Sequence, residues 1–249
     1  MRKTIFFGFS SLGILVIFFL DEAYGMHISD GILPLEWAFF WYLVLIPFIV
    51  YGIKQIRVKT KELLWKPLLG LSAALVFAIS CMPLPVPIVG TCSHPCGTSI
   101  SAIFLGPFVS VVVAFCALLL QALFLAHGGL STLGANTVSM GVIGSFLAYF
   151  TYRIMREIGI RIPIAGFFSG LVADWATYAT TSMQIALGIR GENEFFPLFW
   201  KVAIAFIPTQ LPIGIAEGAM TATVLTLIYQ RRPEILLLKN LVHEKGEKP

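Results

Sequence analysis

The chemistry in this chain concentrates at Met26 and His27, on condition that the backbone is cut just before them. Arg2 and Lys3 precede an apolar run from Ile5 to Leu20, which closes on Ala23-Tyr24-Gly25. A basic start, a short apolar core and a small-x-small exit describe a secretory signal peptide, so residues 1–25 are expected to be removed. Cleavage after Gly25 frees the α-amine of Met26 and makes His27 the second residue. That amine, the backbone amide nitrogen of His27 and its Nδ1 would close two fused chelate rings around one cation. Three nitrogens then lie roughly in a plane, and one equatorial position stays open for a donor from elsewhere. Such a tetragonal nitrogen set suits Ni²⁺, Cu²⁺ or low-spin Co²⁺ rather than Mg²⁺ or Ca²⁺. The plainer reading is that Met-His simply begins a mature chain.

Other donors are few. The chain has four histidines. His94 lies in a loop stiffened by Pro95 and is the candidate for the fourth nitrogen, against a loop histidine with no ligand role. His127, followed by Gly128-Gly129, supports a turn or orients a ligand, and Asn136 lies in the same polar stretch. Asp30 either orients an imidazole or caps the first helix. His243 reads as a solvated tail residue. Cys92-Ser-His94-Pro-Cys96 has C-x-H-x-C spacing, unlike the paired C-x-x-C of strong zinc motifs, and offers three local donors. Outside the cell Cys92 and Cys96 could equally pair or remain thiols. Cys81 and Cys116 sit in apolar runs and read as packing residues. Asp174 and Glu217 fall inside apolar segments, where an acid is costly and invites a functional reading. Hydrogen bonds that fix helix packing explain them equally well.

The elements that position these residues belong to a bilayer. Of 249 residues, 57% are apolar and 12% charged, and the mean hydropathy is +0.87. An all-α polytopic membrane protein follows. The net charge of +4 does not point to nucleic acid, because the basic residues form short blocks between apolar runs. Neither a P-loop nor a GxGxxG motif occurs, so any ATP-driven step belongs to a partner. The expected spans are Glu36–Ile53, Pro67–Met82, two crossings within Thr98–Ala126 broken at Gly106-Pro107, Val138–Tyr152, Ile162–Leu187 and Leu198–Tyr229. Basic blocks at Lys54–Lys66, Arg153–Arg161 and the tail 231–249 belong on the cytoplasmic side. That rule gives seven segments, N-terminus outside and C-terminus inside. It also gathers His27, His94 and His127 at the outer face beside the Pro-rich loop 83–97. The helix break belongs near a binding site, since exposed backbone at membrane depth must be buried in protein or line a cavity.

Met26-His27-Ile28-x-Asp30-Gly31, Ser93-His94-Pro95-x-Gly97, the long stretch Gln121–Asn136 and Glu217-Gly218 together resemble the CbiM/NikM family, over nearly all of Met26 to Tyr229. Members are substrate-binding membrane components of energy-coupling-factor cobalt and nickel transporters. The resemblance implies a square-planar nitrogen cage from Met26, His27 and His94; Asp30, His127 and Asn136 are the candidates to support it from around. It implies Co²⁺ as the transported substrate, with Ni²⁺ the alternative, and no cofactor. The Ser-His-Pro and Ala-His-Gly-Gly forms lean toward the cobalt branch. The implied partners are an energy-coupling transmembrane subunit, a pair of ATPases and a small accessory membrane subunit in the cell membrane, supplying cobalamin synthesis. Residues 26–230 would form the metal-binding domain. Many relatives begin directly at Met-His, so the 25 leading residues must leave, and Cys96 stands where a residue such as Thr is expected. Two other classes remain: a membrane enzyme with a Cys92/His94/Cys96 centre, and a lone secondary transporter or channel acting through Asp174 and Glu217.

Overall fold

The structure, a computed structural model, describes residues 27–59, 65–82, 84–86 and 91–233, with backbone alone at 84–86 and 91–93. The leader 1–25, Met26 and the tail beyond 233 lie outside the described residues.

Helix α1 covers Leu35–Lys59 and α2 covers Trp65–Ser80. The first helix runs past the expected end at Ile53 because the basic stretch that follows is itself helix-forming. Arg57 and Lys59 in its last turn also complement the negative end of the helix dipole. The proline-rich loop then forms a small antiparallel hairpin, β1 (Leu84–Val86) against β2 (Thr91–Ser93), with Leu84 opposite Ser93 and Val86 opposite Thr91. This hairpin is the one departure from an all-helical fold among the described residues.

The expected break is present. Helix α3 (Thr98–Leu105) stops at Gly106, whose φ of 89° favours glycine, and α4 (Pro107–Phe124) starts with proline in its first turn. At eight residues, or about 12 Å, α3 is far too short to cross a bilayer alone. Every residue of it is buried, as backbone that breaks at membrane depth requires.

The stretch expected as a turn through Asn136 ends instead in a short helix, α5 (Leu133–Asn136). It continues as a π-helical segment, Thr137–Gly144, into α6 (Ser145–Glu157). Widened turns of this kind favour functional sites. Helix α7 (Ile162–Ile189) and α8 (Phe195–Arg231) complete the chain. Among the described residues four helical stretches are long and apolar enough to cross a membrane: Leu35–Lys59, Pro107–Phe124, Leu133–Glu157 and Phe195–Arg231.

Helices α7 and α8 meet through two facing Gly-x-x-x-Gly sequences, Gly166/Gly170 and Gly214/Gly218. A Cβ on Gly170 would stand 2.7 Å from the Glu217 carbonyl, and one on Gly218 would stand 2.7 Å from the Phe167 carbonyl. Small residues at this spacing let backbones approach closely where lipid supplies no hydrophobic drive for association. Elsewhere the interior is filled by apolar side chains from α2, α3 and α4, including Trp65, Val76, Ile103 and Leu118. Large apolar side chains such as Phe39, Leu71, Phe124 and Phe196 remain exposed on outer helix faces, which is the surface of a protein solvated by lipid.

Candidate metal centre

The site is built on a clamped N-terminal segment. Ile28 N–H donates to Asn136 Oδ1 at 2.9 Å, while Asn136 Nδ2 donates to the Ile28 carbonyl at 3.1 Å. The Thr132 hydroxyl donates to that same carbonyl. These bonds fix the residue next to His27 and set the direction of its ring.

Asp30 clamps the same loop from the other side. Its carboxylate accepts from Leu130 N at 3.1 Å and from Ser131 N at 2.8 Å, with a further bond from Ser131 Oγ at 2.5 Å. Those bonds hold its carboxyl below the usual range, the Ser131 hydroxyl bond contributing most. Asp30 therefore neither orients an imidazole nor caps α1; it ties the N-terminal segment to loop 127–132.

On this frame three imidazoles converge. The ring centroids of His27 and His94 lie 4.8 Å apart, His27 and His127 4.9 Å, and His94 and His127 5.3 Å. One nitrogen of each lies within 4.8 Å of the others. His94 Nδ1 sits 2.9 Å from the Pro95 carbonyl and so carries the proton that bond needs, leaving Nε2 as its lone-pair nitrogen. That Nε2 is 3.0 Å from His27 Nε2. Two ligands at right angles on one ion, with metal–nitrogen bonds of about 2.0–2.1 Å, stand roughly 2.9 Å apart. The spacing fits a pair of cis ligands. The nitrogen of His27 that faces His94 is Nε2, whereas the chelate argument uses Nδ1.

Burial and crowding keep all three rings neutral. Burial, then the charges of His94 and His127, holds His27 well below the ordinary value. Burial, with His127 beside it, pushes His94 down to about 3. His127 is lowered by burial. Neutral imidazole is the form that binds a metal.

Sequence reasoning placed His27 and His94 together and gave His127 a supporting role; the structure sets His127 among the ring nitrogens themselves. It missed Gly128, whose φ is +81° and whose added Cβ would lie 2.9 Å from His27 Cβ. The His-Gly-Gly sequence carried that signal. The Cys92/His94/Cys96 centre does not assemble from its described members. Cys96 is a buried free thiol grouped with Asp174 and Glu217 instead of with His94.

Glu217 proves to be a packing and capping acid. It accepts from Cys96 N at 2.5 Å, Gly97 N at 3.0 Å and Ser99 Oγ at 3.1 Å. Its carboxylate thus satisfies free amides at the start of α3 and holds the loop that carries His94. Tyr178 on α7 donates to the His94 carbonyl at 3.2 Å, so both glycine-packed helices grip this loop.

The family model for CbiM, described as a cobalt uptake substrate-specific transmembrane region, matches residues 27–235. A cobalt transport protein CbiM of Geobacter sulfurreducens is 52% identical over 247 residues, covering 99% of this chain and 71% of that protein. One from Sorangium cellulosum is 51% identical over 212 residues, covering 85% of this chain and 94% of its own. The crystal structure of a transition metal transporter resembles the fold with a TM-score of 0.75 at 27% identity, covering 89% of this chain and 100% of that one. With the family model spanning the clamp, all three imidazoles and both glycine-packed helices, this chain is a membrane protein that belongs to the CbiM family.

Proposed function

We propose that the chain is the substrate-binding component of an energy-coupling-factor transporter, capturing Co²⁺ outside the cell for ATP-driven uptake into cobalamin synthesis. Ni²⁺ is the alternative substrate. The observation that carries the reading is the convergence of His27, His94 and His127 immediately behind Met26, on a segment clamped by Asn136 and Asp30. Names of the Geobacter and Sorangium relatives favour cobalt. Met26, His27 and His94 supply the equatorial nitrogens, with His27 turning its ring to offer Nδ1, and loop 83–98 closes over the ion. ATP hydrolysis belongs to a pair of ATPases coupled through a transmembrane subunit, with a small accessory membrane subunit alongside.

The same reading sets the chain in the cell membrane with seven segments, α3 being the short one. Met26 lies outside after cleavage at Gly25, and the basic tail 231–249 lies inside. Arg153 and Arg156 on the last turns of α6, near the start of α7, support that orientation. A second ligand arrangement follows from the 3.0 Å Nε2–Nε2 spacing: the three imidazoles bind through ring nitrogens, with the amine completing the set.

N-terminal sequencing and intact mass of the Co²⁺-loaded protein test the reading. It expects a start at Met26 with bound cobalt; a start at Met1 with cobalt still bound removes the amine from the site. Replacement of His127 by Ala separates the two arrangements, sparing the planar chelate and weakening the three-imidazole set.

A further inference from the structure

Two residues beyond His94 the chain turns to a different set of donors. Cys96, Asp174 and Glu217 are all buried, and one ligand atom from each lies within 4.8 Å of the others. Glu217 comes from α8 and Asp174 from α7, brought together by the close glycine contact of the two helices. Both carboxylate oxygens of Asp174 are buried with no hydrogen-bond partner, in a side chain with no solvent exposure. Among the described residues no Lys or Arg pairs with either acid; the ion pair seen is Arg153–Glu157 on α6. Gly214 lets α8 lie directly on this part of α7, since a Cβ there would collide with Trp175 Nε1 and sit 3.1 Å from Asp174 Oδ2. Glu217 Oε2 serves a single backbone amide and retains a lone pair.

We propose that Cys96, Asp174 and Glu217 form a second site for a divalent transition-metal cation, separate from the histidine cluster. The donors are one sulfur and two carboxylate oxygens. A thiolate selects a borderline ion such as Co²⁺ or Zn²⁺ over Mg²⁺ or Ca²⁺, and three protein ligands leave a position open for water or exchange. As the metal–sulfur bond forms, the thiol proton leaves to solvent. The cation supplies the counter-charge that two adjacent buried acids lack, and it accounts for a carboxylate without partners. The site shares the 94–97 loop with His94, Cys96 standing two residues along the chain from it.

Cobalt chloride is the probe, titrated into the full chain in detergent with His27 replaced by Ala to disable the imidazole cluster. The expected result is one retained equivalent of Co²⁺ by elemental analysis, with a thiolate-to-cobalt charge-transfer band in the near ultraviolet. Cys96→Ser in that background should remove both. Asp174→Asn, which keeps the shape of the side chain, should weaken binding roughly tenfold or more while the band persists at saturating metal. No retained cobalt, or retained cobalt without a sulfur band, overturns the proposal. The band does not depend on the histidines, so an unsubstituted chain that retains only the sulfur-bound cobalt, and loses none on His27→Ala, would refute the proposed capture site and leave this one standing.

Discussion

Gly128 is held by two constraints at once. Its φ of +81° is strained for any side chain, and the missing Cβ leaves the room His27 fills. Gly128→Ala should cost about 1–3 kcal/mol and weaken cobalt binding by at least about tenfold, read by thermal denaturation and calorimetric titration. Asn136→Ala should cost a further 1–3 kcal/mol or so, because the Ile28 amide and carbonyl lose their partner in a buried position. Faster hydrogen exchange at the Ile28 amide would report the loss directly. The imidazoles set the acid response of the metal-free protein. In the unfolded chain they take up protons near 6.5; in the folded chain His94 does so only at about 3. Acid therefore favours the unfolded form. Stability is complete above the unfolded value and is lost as pH falls from about 6.5 toward about 3, by up to about 1.4 kcal/mol per pH unit per histidine. The melting temperature of metal-free protein should drop between about pH 7 and pH 5, and His94→Gln should flatten the slope.

At the scale of elements, the grip of α7 and α8 on the 94–97 loop decides how well the site is held. Replacing Gly170 with Leu forces a side chain into the Glu217 carbonyl and Thr221 hydroxyl. The helices must separate, and the Glu217 bonds to Cys96, Gly97 and Ser99 stretch or break. Lost cobalt binding, with helical content retained by circular dichroism, is the expected outcome. What the sequence disclosed and concealed also divides at this scale. The break at Gly106-Pro107 was legible because it depends on two adjacent residues whose backbone chemistry is local. The meeting of His27 and His94 was legible because both fell in polar stretches between apolar runs, a pattern that needs no tertiary detail, whereas the ring nitrogen that faces the partner was not. Asp30 was not, since its partners Leu130 and Ser131 stand 100 and 101 positions away. The pairing of Asp174 with Cys96 was equally hidden, because it depends on which faces of α7 and α8 the glycines bring together. The prolines of loop 83–97 ruled out helix but could not disclose a hairpin register.

For the whole molecule, the decisive question is which side of the bilayer each end occupies. In a chain whose four native cysteines are replaced by serine, single cysteines at Glu192 and Arg231 should react oppositely with a membrane-impermeant maleimide. Glu192→Cys should label in intact cells, and Arg231→Cys only after permeabilisation. The reverse pattern would invert the proposed orientation. The segment that carries His27 is stapled at Ile28 by Asn136 and Thr132 and at Asp30 by loop 130–131, so a chain end freed by the proposed cleavage at Gly25 would be held against the fraying usual for termini. A tethered terminus changes the time axis of binding. An arriving ion need not wait for a floppy end to fold round it, and a bound ion does not escape through chance fraying. Long residence then follows from the clamp as much as from the ligands, and rapid unloading requires a partner or a conformational stroke that pries the terminus loose.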